Sequence, residues 1–476
     1  MSLRSARALL LLPLFLAPAC RRAHVHGAGC EAGLVPERPV AQQAGAVQQP
    51  AVEAPPAAEE GALTAAQALA TFEETWQKVH DTHFDPRFNG VDWDAVRAEL
   101  RPRAEAARTR AELRVVLDDM LGRLGQSHFG VIPSEALPEV GAGPADQSGG
   151  LGFDVRLRAG RLLVTRLDPG GAAAAAGVGL GWSVLAIDDF EVGALLASME
   201  AAAAALGPRK LAFNAWSVAH QHVVGPTGTR ATVRFQDGDE RTVELQLERR
   251  QRDVTVHEFG PNLPPFYLEF RTEERTLGGK RLGLIAFSNW FLPMMKPLDE
   301  AVERLRTCDG IVLDLRGNTG GAAAMTMGVA GHFFRESTRL GSMLTRDSTI
   351  HILAIPRLSN AAGQRVEPFA GPVAIVVDET TGSASEVLAG GMQSVGRARV
   401  FGEPSAGAVL PAVTTRLPNG DTLLHALGDF ETARGTRLEG DGVLPDEPVE
   451  LTRAALLAGR DPALAAALDW LASAPR

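Results

Sequence analysis

The chain has 476 residues, of which 45% are hydrophobic and 22% charged. This is a globular composition spread over more length than one ordinary core organises, so two or three domains are expected. A formal charge of -10 excludes a nucleic-acid partner held on a basic face, and three cysteines argue against a disulfide framework.

The first residues, "MSLRSARALLLLPLFLAPAC", join Arg4 and Arg7 to an apolar run and then to small residues. This is the pattern of a secretory signal over 1–19, too short to remain as a membrane-spanning helix. Cys20 closes "LAPAC", which resembles a bacterial lipobox, although Ala17 and Pro18 depart from its usual form. Lipidation of Cys20 and ordinary cleavage after Ala19 are both open. The first would tie an exported chain to the membrane of a bacterial cell envelope. Residues 20–61 are rich in Ala, Pro, Gln and Glu without apolar periodicity, and read as a disordered tether.

Order is expected from 62, where "TAAQALATFEETWQKVHDTHF", "DWDAVRAELRPRAEAA" and "TRAELRVVLDDMLGRLG" carry apolar residues at helical spacing. In the third, Thr109 is a candidate N-cap with Glu112 three residues on. This helical region spans 62–135. Over 148–250 the period shortens to strands, in "LGFDVRL", "RLLVTRL", "SVLAIDD", "TVRFQDG" and "RTVELQLE", a β-rich module. From 265 to 460 strand-like and helix-like stretches alternate, including "GIVLDLRG", "PVAIVVDE" and "SASEVLAGGMQSVG", the mark of an α/β core. A C-terminal helix is expected over 461–476. The fold class is therefore α/β multidomain.

"GGLGFDV", followed by "LDPGGAAAAAGVGLGWSVLAIDD", resembles the carboxylate-binding loop and the following segments of PDZ domains. The glycines leave backbone N–H groups unshielded for a peptide's terminal carboxylate while the peptide adds as a strand. The resemblance assigns peptide binding to Leu151, Gly152 and Phe153. A PDZ-like fold used only for packing is the alternative.

In "TTGSASEVLAGG", Ser383 stands between a glycine and a helix-like run. By itself this fits an N-cap, a role serine fills often, as well as a nucleophile. The stretches "GIVLDLRGNTGG", "TTGSASEVLAGGMQSVGRARVFGEPSAG" and "LEGDGVLPDEPV" together resemble the core motifs of the C-terminal processing (tail-specific) serine proteases and of the related tricorn protease, whose core is crotonase-like. The resemblance implies Ser383 as nucleophile, with Gly320 and Ala384 N–H groups as the oxyanion hole. In the tail-specific branch a lysine base follows the serine by some two dozen residues. Ala408 occupies that position here, and the four lysines, Lys78, Lys210, Lys280 and Lys296, all precede Ser383. The tricorn branch instead uses a histidine in a Ser-His pair before the PDZ domain, which maps onto Ser127 and His128 in "LGRLGQSHFGV". An unperturbed imidazole, with a pKa of about 6.5, accepts a serine proton at neutral pH. The same branch implies that Glu439, in "LEGDGVLPD", orients His128 through Ser127.

His80 with His83 and His220 with His222 are paired too, but without a third ligand at recognisable spacing neither pair makes a metal site. The resemblance implies a serine endopeptidase acting on polypeptides, lipid-anchored if Cys20 is modified, with no metal or organic cofactor. The alternative is a catalytically silent peptide- or ligand-binding lipoprotein of the same fold.

Overall fold

The computed structural model describes residues 62–136, 147–258, 265–360 and 362–474. The expected signal, Cys20 and the tether lie outside them.

Each N-terminal helix opens on a capping side chain, the third on Thr109 as expected. The Thr64 hydroxyl accepts from Gln67 N and the Gln67 side chain accepts from Thr64 N, a reciprocal box that opens Ala65–Thr82. Asp92 and Thr109 cap Trp93–Ala106 and Arg110–Gly122. Trp76 and Trp93 each donate an indole N–H to the other's carbonyl, at 3.0 and 3.2 Å, satisfying two polar groups inside an apolar contact. The core of this region, with Leu100, Leu113, Leu117 and Met120, closes over Leu417 and Leu423 from far along the chain. Arg114 forks onto the buried Asp421 carboxylate at 2.6 and 2.8 Å. Strand Gly130–Ile132 then pairs antiparallel with Thr422–Ala426. The helical region is therefore seated on the core, and Ser127-His128 enters the core at the start of that strand.

The middle region is a sheet ordered Phe153–Arg158, Arg161–Leu167, Ser183–Ile187, Arg230–Gln236, Thr242–Glu248. Its strands follow the expected ones closely. A β-rich reading missed the helix Val192–Val223, 32 residues long and broken at Gly207 (φ 73°) before Pro208. Alanine-rich sequence favours helix wherever no β-branched run competes, and Pro208 can follow only because the glycine turns the chain. This helix packs on Phe153–Arg158, which lies at the sheet's edge.

The core sheet runs Val254–His257, Phe266–Leu277, Lys280–Phe287, Gly310–Asp314, Val373–Val377, Ala398–Gly402, Glu447–Pro448. It is antiparallel at first and parallel from Lys280–Phe287 onward. Ile311, Leu313, Val373, Ile375 and Val377 face one apolar cluster, Val312, Ala374 and Val376 another. Burial on both faces explains why these strands read as continuous apolar runs. Helices Met295–Leu305 and Ala384–Ser394 cover the first face and Pro462–Ser473 the second. In such sheets, sites form beyond the carboxyl ends of the strands, where the segment 378–383 follows Val373–Val377.

Candidate active site

Ser383 sits in the turn between that strand and helix Ala384–Ser394, with φ 53° and ψ -116°. A non-glycine residue pays for this left-handed conformation, and a strand-to-helix turn of this strained kind is how nucleophilic serines are presented. Its N–H is held by Ala408 O and by Glu386 Oε2, both at 2.9 Å. Its Oγ is buried at the N-cap of that helix, on the side of the Glu386 N–H as in a capping box but without a hydrogen bond of good geometry to it, and has no other partner. Ser385 differs: its Oγ accepts from Trp290 Nε1 at 2.8 Å and donates to Asn318 O at 3.1 Å. Of the two serines in "SAS", the second is structural and the first is the one with an uncommitted hydroxyl.

Glu386, to which sequence reasoning gave no role, anchors the turn. Besides Ser383 N–H its carboxylate accepts from Ser405 Oγ (2.6 Å), Gly407 N (2.7 Å) and Ala408 N (3.0 Å). Burial pushes its pKa up to about 7, and these donors oppose that rise by favouring the ionised form. The signal available was the Ser-x-x-Glu spacing of "SASE".

Ser127 Oγ lies 2.7 Å from His128 Nδ1 and donates to Glu439 Oε2 at 2.9 Å, while Ser127 N donates to Glu439 Oε1 at 2.7 Å. Val409 N donates to the same carboxylate at 3.2 Å. With Glu439 ionised and able only to accept, the single Ser127 proton goes to it, so Ser127 Oγ accepts from Nδ1–H. That assigns the imidazole tautomer and leaves the lone pair on Nε2, which is buried and has no partner. Ala408 and Val409 tie the two halves together, because Ala408 O receives the Ser383 N–H and Val409 N holds Glu439. The expectation of an ordinary imidazole pKa does not hold. His128 is 1% exposed, and desolvation pushes its pKa down to about 3. Burial also raises that of Glu439, against the hydrogen bonds from Ser127.

Ala384 is the first residue of its helix, so its N–H has no intrahelical acceptor. Gly320 differs from expectation. Its N–H donates to Asn318 Oδ1 at 3.0 Å, and Asn318 Nδ2 is fixed on Phe287 O at 2.9 Å. As placed, this N–H is committed and reaches an oxyanion only after Asn318 lets go.

The middle module grips the turn from outside. Arg156 Nε donates to Asp378 Oδ2 at 2.7 Å, and Arg158 forks onto Glu379 at 2.7 and 2.9 Å while reaching Glu403. Arg209, just after the helix break, donates to the carbonyls of Ser405, Gly440 and Asp441, on the two loops that hold Glu386 and Glu439.

A cavity of about 850 Å³ lies between module and core. Its walls include Asp154, Trp216 and His220 from the module and Asn289, Thr319 and Gly320 from the core. Ser383 is behind this wall, since Gly382 N donates to Asn318 O. Of the glycine loop, Leu151 N–H is taken by Val223 O at 3.2 Å, and Gly152 (φ 86°) packs so closely on Gly171 that a side chain would collide. Phe153 is buried against Phe235. The paired histidines have ordinary partners: His80 with Asp81, His83 with Gln126 and Asp85 O, and His222 stacked on Phe190. His220 Nδ1 is buried without a partner.

Residues 281–449 match the profile of peptidase family S41, and residues 65–122 that of the tricorn protease C1 domain. A carboxyl-terminal-processing protease of Picosynechococcus sp. is 24% identical over 380 residues, covering 79% of this chain and 82% of that protein. Carboxyl-terminal-processing peptidase 2, chloroplastic, of Arabidopsis thaliana is 24% identical, covering 79% and 68%. Tricorn protease homolog 1 of Streptomyces coelicolor is 26% identical, covering 86% of this chain but 36% of its own length. Among solved structures, the photosystem II D1 C-terminal processing protease superposes with a TM-score of 0.53 at 20% identity, covering 82% of this chain and 96% of that one. Mature CPAF complexed with lactacystin gives 0.54 at 14%, covering 86% and 98%. At these identities the structural likeness speaks for the fold.

Proposed function

We propose that this serine-type peptidase, with its peptidase family S41 domain at residues 281–449, is an exported endopeptidase. In this reading Ser383 is the nucleophile, His128 the base, and Glu439 orients the base through Ser127. What carries it is a pair of unmade hydrogen bonds. Ser383 Oγ and His128 Nε2 are both buried and unpartnered, and the Ala408–Val409 segment joins the networks around them. A buried polar atom left unsatisfied costs about 1–3 kcal/mol, and two of them suit a reaction that uses both; they are not hydrogen-bonded to each other in the resting site, so the reading requires that substrate binding bring them within reach.

Ser383 Oγ attacks a peptide carbonyl and passes its proton to Nε2. The tetrahedral oxyanion is stabilised by Ala384 N–H at the helix start, and by Gly320 N–H once Asn318 releases it. Nε2–H then protonates the departing amine, and water, deprotonated by the same nitrogen, hydrolyses the acyl-enzyme. Burial opposes a lone imidazolium, but the oxyanion formed beside it supplies the counter-charge. The base is therefore weak in the resting site and strengthened in the transition state.

The middle module acts as a PDZ-like receptor for substrate C-termini. Support comes from its edge strand Phe153–Arg158 and the helix beside it, which leave backbone groups for an added strand. Lipidation of Cys20 would hold the enzyme at the envelope. Among the described residues, no helix is long and apolar enough to cross a membrane.

One set of observations favours the silent-binder alternative: Ser383 is fully buried, and Gly320 N–H is committed. Fluorophosphonate labelling separates the two. An enzyme is labelled, and Ser383→Ala and His128→Ala each abolish the labelling. A chain that takes no label between about pH 6 and 9, with or without added C-terminal peptides, is not this enzyme.

A further inference from the structure

The cavity wall contributed by strand Phe266–Leu277 presents Tyr267, Glu269, Arg271, Glu273 and Arg275, alternate residues on one face. Their charges are committed, with one exception. Glu269 is held by Arg252 at 2.8 Å with Arg166 beside it at 3.6 Å, and Glu273 by Arg275 at 2.6 Å. Two strands over, Asp314 is engaged by Arg316, which Asp461 also holds. Arg271, exposed to the cavity, has neither a hydrogen bond nor an ion pair among the described residues.

Its position is specific. In the sheet, Arg271 pairs with Ala286, and Ala286 with Asp314. Arg271 therefore lies in the cross-strand row at the carboxyl end of Gly310–Asp314, the strand that leads to Thr319 and Gly320. Burial first, and then a second positive charge nearby on Arg166 from the module side, make a proton on Arg271 less welcome, against the carboxylates of Asp314 and Glu269. An unpaired guanidinium in a walled cavity, beside a second cation, lacks an anion of the kind its planar fork holds best, a carboxylate.

We propose that Arg271 is a carboxylate-recognition residue for the polypeptide threaded through this cavity. It takes an Asp or Glu side chain, or the terminal α-carboxylate, of a segment lying between the middle module and Gly320. The proposal rests on the peptidase reading for what the ligand is, but binding at Arg271 can be measured whether or not the bond is cut.

The test uses Ser383→Ala full-length protein and fluorescent twelve-residue alanine-based peptides. One residue, Glu, Gln or Lys, is scanned along the peptide, and each C-terminus is either free or amidated. With Arg271 intact, one or two Glu positions bind about tenfold more tightly than their Gln counterparts, as expected for one charge-assisted pair in a partly dry site. If instead peptides with a free terminus bind more tightly than their amidated counterparts whichever residue is scanned, the terminal carboxylate is the source and the free/amidated ratio is the one followed in the variants. Arg271→Gln brings the ratio to about one, and Arg271→Glu makes Lys peptides the tighter ligands. A carboxylate preference, of side chain or terminus, that is unchanged in both variants, or no carboxylate preference at any position with either terminus, overturns the proposal. The peptidase reading fails separately, if the Ser383 protein takes no fluorophosphonate.

Discussion

The Glu439 carboxylate accepts both the backbone N–H and the hydroxyl of Ser127, at 2.7 and 2.9 Å, across 312 residues of sequence. This double contact fixes the direction of the Ser127 proton and therefore the tautomer of His128. Glu439→Gln substitutes an amide whose NH2 group has no use for the donors that converge there, from Ser127 N, Ser127 Oγ and Val409 N. The Ser127 hydroxyl is then free to turn toward Nδ1, which places the imidazole proton on Nε2, the wrong nitrogen for a base. A loss of about a hundredfold or more in kcat is expected with KM little changed, by analogy with the cost of a wrong tautomer in other serine enzymes. Steady-state peptide cleavage reads it, and an unchanged kcat would remove Glu439 from the mechanism.

Ser383 and Ser385 separate function from stability. Ser385→Ala leaves the buried Trp290 indole N–H without its acceptor, at a cost of about 1–3 kcal/mol. Ser383→Gly deletes a hydroxyl that bonds to nothing and relieves a left-handed backbone. The gain there is about 1 kcal/mol, less glycine's entropy in the unfolded chain. Thermal melts should move in opposite directions, while only the Ser383 variant loses all labelling. A Ser383→Gly protein that melts well below wild type would argue that the turn is unstrained.

The helical region can reach the site only because it is pinned to the core. Arg114→Met leaves the Asp421 carboxylate, fully buried and close to Ser134 N and Asn419, without its cation. Discounted for the partial exposure of Arg114, the loss is about 1–3 kcal/mol. Because His128 enters through the strand next to this contact, the labelling rate should fall further than global stability does. Equal rates at equal folded fraction, followed by denaturant titration, would show that the contact holds only the fold.

The strands of the α/β core were legible because burial on both faces writes continuous apolar runs, as in Val373–Val377. The three N-terminal helices were legible because their apolar residues recur at helical spacing, with the Thr109 cap marking the start of the third. Helix Val192–Val223 was not, since its broad alanine content carries almost no apolar stripe and Gly207-Pro208 reads as a terminator. At the site, Ser383, Ser127, His128 and Glu439 came from motif resemblance alone, because no spacing connects residues 312 positions apart. The Arg156, Arg158 and Arg209 contacts were invisible for the same reason, since their partners are set by how the modules pack, whereas Glu386 left a local signal, three residues after Ser383, that the motif resemblance did not single out. The commitment of Gly320 N–H to Asn318 depends on one side-chain rotamer, which no motif encodes.

The depressed pKa of His128 fixes the sign of its pH dependence. In the unfolded chain the imidazole titrates near the ordinary 6.5, whereas in the folded protein it does so at about 3. Between these values the unfolded state binds the extra proton, so this residue's contribution to stability is intact above pH 6.5 and is lost progressively as pH falls toward 3. At pH 5 the loss amounts to about 2 kcal/mol, from 1.36 kcal/mol per unit. His128→Asn, which tolerates the positive φ of this position, should remove it. The unfolding free energy of wild type minus that of the variant, compared at pH 7 and pH 5 by urea titration, should fall by this amount on acidification. Taking the difference cancels Glu386 and Glu439, whose raised values give the opposite slope. The same burial separates the two groups in catalysis. His128 stays neutral well below pH 6.5, so the acid limb of kcat/KM belongs to the two buried carboxylates, Glu386, pushed up to about 7, and Glu439, raised above its ordinary 4.5. In Glu439→Gln the residual activity should then keep only the step that belongs to Glu386. A limb near pH 6.5 that survives both Glu439→Gln and Glu386→Gln would instead assign it to an ordinary, solvated His128.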